Sequence, residues 1–130
     1  RGTRREHITR AAQESIAYQV ADLVHAMEAD TGLPLGQLKA DGGASRDAFL
    51  MQFQADILDR EVRRPAIRET TALGAAYLAG LAAGVWSGTG ELRRLWRCDT
   101  AFSPAMPPAQ REHLLEQRHR AVGRSRDWAR

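Results

Sequence analysis

Asp41, Gly42 and Gly43, followed by Ser45 and Asp47, are the residues of this chain best placed to do chemistry. Paired glycines between a short extended segment and an apolar-periodic helix let a backbone come close to a nucleotide, because glycine has no Cβ and takes positive φ. A helix beginning there aims free N–H groups and its positive dipole end into the same space. Asp41, at the end of the extended segment, reads as capping its own turn at least as readily as ligating a metal. The turn lacks the Lys-Ser/Thr of a P-loop and the third glycine of a dinucleotide fingerprint. From these residues alone, a plain tight turn and a nucleotide cradle both stay open.

Other chemistries find less support. His7, His25, His113 and His119 are scattered and Cys98 is the only cysteine, so there is no zinc-ligand spacing and no intramolecular disulfide, which fits a reducing compartment. Cys98 reads as a structural thiol, Asp56 and Glu69 as helix-surface or ion-pair residues, and Trp86, Trp96 and Trp128 as packing residues. The net charge is +3, Lys39 is the only lysine, and Arg118, Arg120, Arg124, Arg126 and Arg130 crowd one end. Glu112, Glu116 and Asp127 interleave with that cluster and Trp128 alone offers a stacking platform, so a solvated basic face is favoured over a nucleic-acid surface. The weakly polar stretch 72–86 is too short to span a bilayer, and no apolar core of a signal peptide follows the first residues. A cytoplasmic protein is expected.

The elements that must position the glycine turn follow from periodicity. Ile8, Ala11, Ala12, Ile16, Val20, Leu23, Val24 and Met27 recur at three- and four-residue steps, predicting one long amphipathic helix over about 6–30. Gly32 ends it as a left-handed C-cap and Pro34 prevents its resumption. Residues 35–40 read as a short strand, and 44–58 as a second helix with Phe49, Leu50, Phe53, Ile57 and Leu58 inside and Ser45 or Ala44 near its N-cap. Residues 61–64 read as an edge strand closed by Pro65. A third helix begins near Glu69, and its small residues, with Gly74 and Gly80 among them, predict packing against neighbours on more than one side. A short helix at 91–96, an extended piece at 98–102 and a C-terminal helix from Ala109 with Leu114, Leu115 and Val122 complete the chain. The strands are few for the helices present, and none has an obvious partner beside it in sequence. The expectation is part of a larger α/β unit that exposes apolar surface and self-associates when alone.

The run Asp41-Gly42-Gly43-Ala44, residues 49–58, Val62-x-Arg64-Pro65 and the segment from Glu69 through Thr71 to Gly84 closely resemble the C-terminal part of the glycerol kinases, a branch of the FGGY carbohydrate kinases. Arg1-Gly2-Thr3, His7-Ile8, Arg10-Ala11 and Glu14 to Gln19 resemble the preceding segment, and the likeness weakens after about Asp99. The resemblance implies an α/β fold: a partial ribonuclease-H-like, actin-like ATPase domain, helix-rich with few strands, with 1–130 forming the C-terminal part of the second, ATP-side domain and incomplete as a domain. The parent enzyme so implied transfers the γ-phosphoryl group of MgATP to glycerol, giving sn-glycerol 3-phosphate. ATP and Mg2+ are its cofactors, glycerol is its substrate, neither nucleic acid nor membrane is a partner, and a homo-oligomer is compatible with it. Its catalytic base and glycerol contacts lie upstream of the matched segment, so no catalytic residue and no metal ligand is assigned here and the chain alone is expected to be inactive.

The nucleotide-binding residues carried over are Gly42, Gly43 and Asp47. Gly43 approaches the nucleotide through its backbone, and the residue four further on, usually asparagine in the family, touches the adenosine part. Here that residue is Asp47. A carboxylate only accepts, where an amide also donates, so a weaker adenosine contact and a lower ATP affinity are expected. A second departure is Gln13, where the family usually has an apolar residue, and it predicts a loosened packing contact. The alternatives are a kinase for another polyol or sugar, and a non-catalytic binding module that kept the fold.

Overall fold

The computed structural model describes residues 2–126. Helix α1 (Arg5–Thr31) ends on Gly32 at φ 67°, whose N–H donates to the Glu28 carbonyl at 2.9 Å, as the C-cap reading expects. It buries Ala17, Tyr18, Ala21 and Val24. Ala17 and Ala21 are small enough to let α2 (Ala48–Leu58) approach closely, and the Tyr18 ring meets Phe53 edge-on at 5.6 Å. The buried Gln54 fastens the same contact by donating from Nε2 to the Ala17 carbonyl at 3.2 Å. Ile8, Ile16, Leu23 and Met27, part of the same apolar periodicity, lie on another side of α1 and are exposed. The helix thus carries two apolar stripes, only one of which faces α2.

The three strands find partners in one another, contrary to what their isolation in sequence suggests. β1 (Gln37–Lys39) pairs in parallel with β2 (Glu61–Pro65), matching Leu38 with Val62, and β2 pairs antiparallel with β3 (Cys98–Phe102), matching Val62 with Phe102. The segment expected at an edge is therefore the centre of the sheet, in the order β1-β2-β3. Pro65 is accommodated because the ladder is irregular between Arg64 and Pro65, one of the places where a sheet tolerates proline. Val62, fully buried, joins Leu50, Phe53, Ile57 and Leu58 of α2 in the core.

The helix expected over 44–58 is two elements. Gly43–Arg46 forms a 3-10 turn, and α2 starts only after Asp47, whose carboxylate accepts from the Leu50 N–H at 3.2 Å. Asp47, not Ser45 or Ala44, is the N-cap. Aspartate caps as well as serine does, and the Ser45 hydroxyl is already committed to the Gly42 carbonyl at 2.7 Å.

Helix α3 (Thr70–Ala82) departs furthest from expectation. Only Gly80 is buried, and Leu78 stands 71% exposed. Trp86 covers Gly80 so tightly that a Cβ there would lie 2.1 Å from the indole, and Tyr77 meets the same indole edge-on at 5.2 Å. At Gly74 a Cβ would meet nothing within 4 Å. The small residues thus serve close packing on one side, and the other sides find no cover among the described residues. The short helix α4 (Thr89–Leu95) follows, and then α5 (Pro108–Ser125) packs Leu114 and Leu115 on the core. Arg111 pairs with Asp59 at 2.8 Å and Arg118 with Asp22, so two C-terminal arginines dock α5 on the body. Trp128 and Asp127 lie outside the described residues. Among the described residues no helix is long and apolar enough to cross a membrane.

Candidate functional site

Because β1 and β2 run parallel, the turn after β1 and the loop after β2 emerge at the same end of the sheet. They are stitched together there. Gly42 N–H donates to the Arg68 carbonyl at 3.2 Å, and the Thr70 hydroxyl donates to the Asp41 carboxylate. Asp41 is thus anchored to the start of α3 and does not cap its own turn.

Gly42 sits at φ 74°, ψ −172°, a conformation that only glycine takes without strain. Gly43 differs in its ordinary φ. A Cβ would meet nothing within 4 Å at either glycine, so the turn is open on this side, and only Gly42 is required by the backbone. As first residues of the 3-10 turn, Gly43 and Ala44 also present N–H groups that have no acceptor within it.

Two residues not singled out for the site hold it in place. Arg64 donates from NH1 to the Ser45 carbonyl at 3.2 Å, from Nε and NH2 to Asp99 at 3.0 and 2.8 Å, and from NH2 to the Thr100 hydroxyl at 2.9 Å. These bonds, with help from the Thr100 hydroxyl, keep the Asp99 carboxyl below its usual range. The arginine so joins the glycine turn to β3. Thr70 is the second. One of two adjacent arginines in a strand and a threonine at a helix start do not by themselves mark a contact with the turn, so only the fold reveals these roles.

Asp47 is half-buried. Its Oδ1 caps α2, and its Oδ2 accepts from the side-chain amide of Gln13 on α1. Gln13 and Asp47, on separate helices, are thus joined by a side-chain hydrogen bond. One turn before Gln13, Arg10 lies over the Phe49 ring at 3.8 Å and pairs with Glu14 at 2.6 Å.

A cavity of about 750 Å3 opens beside the turn, between the end of β2, α3 and α4. Lys39, Thr70, Tyr77, Arg93 and Trp96 are among its lining residues, while Gly42, Gly43 and Asp47 are not. Lys39 stacks its ammonium on Trp96 at 4.2 Å. Thr70 is the link, since it lines this cavity and also binds Asp41.

The remaining candidates have structural surroundings. Asp56 is buried, not on the helix surface as expected, and one of its oxygens accepts from Gln52 Nε2 at 3.0 Å, Ala105 N–H at 2.7 Å and Met106 N–H at 3.2 Å. It pins the loop leading to α5, a long-range role that helix periodicity does not report. Glu69 is exposed and Cys98 is exposed and free. Among the described residues no three His, Cys, Asp or Glu side chains group together as metal ligands.

Known proteins share both the sequence and the fold. The family model described as the FGGY family of carbohydrate kinases, C-terminal domain, matches residues 1–83. Glycerol kinases of Symbiobacterium thermophilum and Dechloromonas aromatica are 58% and 57% identical over 129 residues, which is 99% of this chain and 26% of each relative. The crystal structure of Plasmodium falciparum glycerol kinase with ADP superposes with a TM-score of 0.83 at 34% identity, covering 95% of this chain and 25% of that one. A ligand-bound xylulose kinase from Lactobacillus acidophilus shares the fold at 20% identity, with a TM-score of 0.76 over 98% of this chain and 27% of that one. The chain therefore spans about a quarter of the length of the relatives it matches. On the family match, the identities and the shared helix-rich α/β fold together, this chain belongs to the FGGY family of carbohydrate kinases and corresponds to the C-terminal region of its glycerol kinases.

Proposed function

We propose that this chain is the C-terminal part of the ATP-side domain of a glycerol kinase and supplies one wall of its adenine-nucleotide site. The observation that carries the reading is the pairing of Gly42, held by Ser45 and Arg68 in a conformation that only glycine takes without strain, with Gly43 beside it, which has open space on its Cβ side and an N–H with no acceptor in the turn. Such a turn holds backbone N–H groups still while leaving room for a ligand against the main chain, and donors fixed before binding need no reorganisation. MgATP, bound there, would supply the γ-phosphoryl group that passes to glycerol to give sn-glycerol 3-phosphate. Gly43 and Ala44 would hold a phosphate through N–H groups, Asp47 would face the nucleoside, and the base acting on glycerol would come from outside this chain. Phosphoryl transfer depends on positioning and charge neutralisation around the whole transferring group, so the chain alone does not catalyse it. The relatives' names support the substrate, since they are glycerol kinases.

The test is nucleotide binding by calorimetry with ADP and magnesium, in the complete gene product carrying this sequence. Gly43→Val leaves the fold intact, since its Cβ enters open space, and weakens ADP binding by about tenfold or more as the side chain fills the ligand's place, about 1.4 kcal/mol per tenfold. Unchanged affinity in a folded Gly43→Val protein would overturn the reading.

A further inference from the structure

We propose that Gln13 is a positioning residue for the nucleotide site: it holds the carboxylate of Asp47 in place across the α1–α2 contact, and an aspartate functions at position 47 because a glutamine stands at position 13. This rests on the reading of the Gly43 turn as a nucleotide site.

Asp47 is the only acidic side chain between the glycine turn and Asp56, and it stands four residues beyond Gly43. An ionised carboxylate there is an acceptor with no hydrogen to give, and left free to rotate it would repel a polyphosphate at Gly43. Both of its oxygens are instead engaged. Oδ1 takes the Leu50 N–H at the positive end of α2, and Oδ2 takes the Gln13 amide N–H, so charge and direction are both fixed. Held this way, the carboxylate presents its remaining lone pairs at a constant angle to donors of a nucleoside, an amine or a ribose hydroxyl. Gln13 lies 34 positions away in sequence, on an element that the glycine turn does not include. It also lines a shallow surface groove with Arg5, Glu6, Thr9 and Arg10, so it is reached from solvent and can be changed without opening the core.

The experiment is a double-mutant cycle in the complete gene product, with ADP affinity read by calorimetry and folding checked by thermal melts. The four proteins are the wild type, Gln13→Leu, Asp47→Asn and the double variant. Gln13→Leu weakens ADP binding about five- to tenfold while Asp47 is present, the size expected when a charged acceptor loses a partner. It changes affinity less than about twofold once position 47 is asparagine, which carries no charge to restrain. Gln13→Asn keeps the amide but is one methylene too short to reach, and gives the same pattern should Gln13→Leu fail to fold. A purely structural glutamine would cost the same in both backgrounds, and that result, or no effect in either, overturns the inference while leaving the nucleotide site standing. Failure of all four folded proteins to bind ADP would overturn the nucleotide reading and this inference with it.

Discussion

Two regions of this molecule use their apolar residues in opposite ways. Around α1, α2 and β2 the apolar residues are inside: Ala17, Ala21, Phe53, Ala55, Ile57 and Val62 are each at most 3% exposed. Along α3 the sequence is if anything more apolar, yet only Gly80 is buried and Leu78 faces outward. Composition therefore does not decide burial. A helix is covered when a partner with matching relief is within reach, and α2 is that partner for α1, while for α3 the described chain offers little beyond Trp86. The glycine turn lies where the two regions meet, bound on one side by Arg64 and on the other through Thr70.

The largest effect expected from this contrast is in the packed region. Phe53→Ala should destabilise the protein by about 3–5 kcal/mol, as a large-to-small change in a closed core does, whereas Leu78→Ala should change stability of this chain by no more than about 0.5 kcal/mol. Urea unfolding of the two variants measures both. Equal losses would break the comparison. A much larger loss for Leu78→Ala in the complete gene product than in this chain would sharpen it, by showing that another part of the protein covers α3.

Within α3 the glycines should separate. Gly80→Ala drives a methyl into the Trp86 indole and should cost about 1–3 kcal/mol through displacement of the ring, with a shift in tryptophan emission. Gly74→Ala meets open space and should stabilise by up to about 1 kcal/mol, because alanine is the better helix former. Similar melting temperatures for the two variants would mean that Trp86 is not seated on the helix.

The smallest effect is electrostatic. Asp99 has its carboxyl lowered from the ordinary value of 3.8, first by the hydrogen bond from Arg64 and then by that from Thr100. A depressed native value means that the unfolded chain binds the proton first as pH falls. The Asp99 contribution is therefore complete above 3.8 and lost as pH drops below it toward the native value. The pair is partly exposed, so the loss is small and screened by salt. Stability curves of wild type and Asp99→Asn should converge in acid and part above pH 5, and parallel curves would sink the assignment.

Much of the fold was legible from local rules. The Gly32 C-cap, the strand limits at 98–102 and the inner face of α2 follow from periodicity and turn chemistry, which act over a few residues. The places where the reading failed involve distant partners. Residues 61–64 look like an edge strand because Pro65 follows them, yet a ladder irregularity at that point lets the strand sit centrally. Ser45 looks like a helix cap because serine caps well, yet its hydroxyl closes the glycine turn and leaves the cap to Asp47. Asp56 looks like a surface acid until the loop at 103–106 folds over it.

At the candidate site the division is the same. The sequence by itself determined that a glycine pair between a strand and a helix offers room to a backbone ligand, and its neighbours determined the family. Those properties belong to residue types in order along the chain. Tertiary structure alone decided that the two glycines have different duties, that Arg64 and Thr70 hold the turn, and that Gln13 reaches Asp47. Each of these depends on atoms brought within about 3 Å from elements far apart in sequence, and hydrogen bonds of that length have no signature until the chain has closed upon itself.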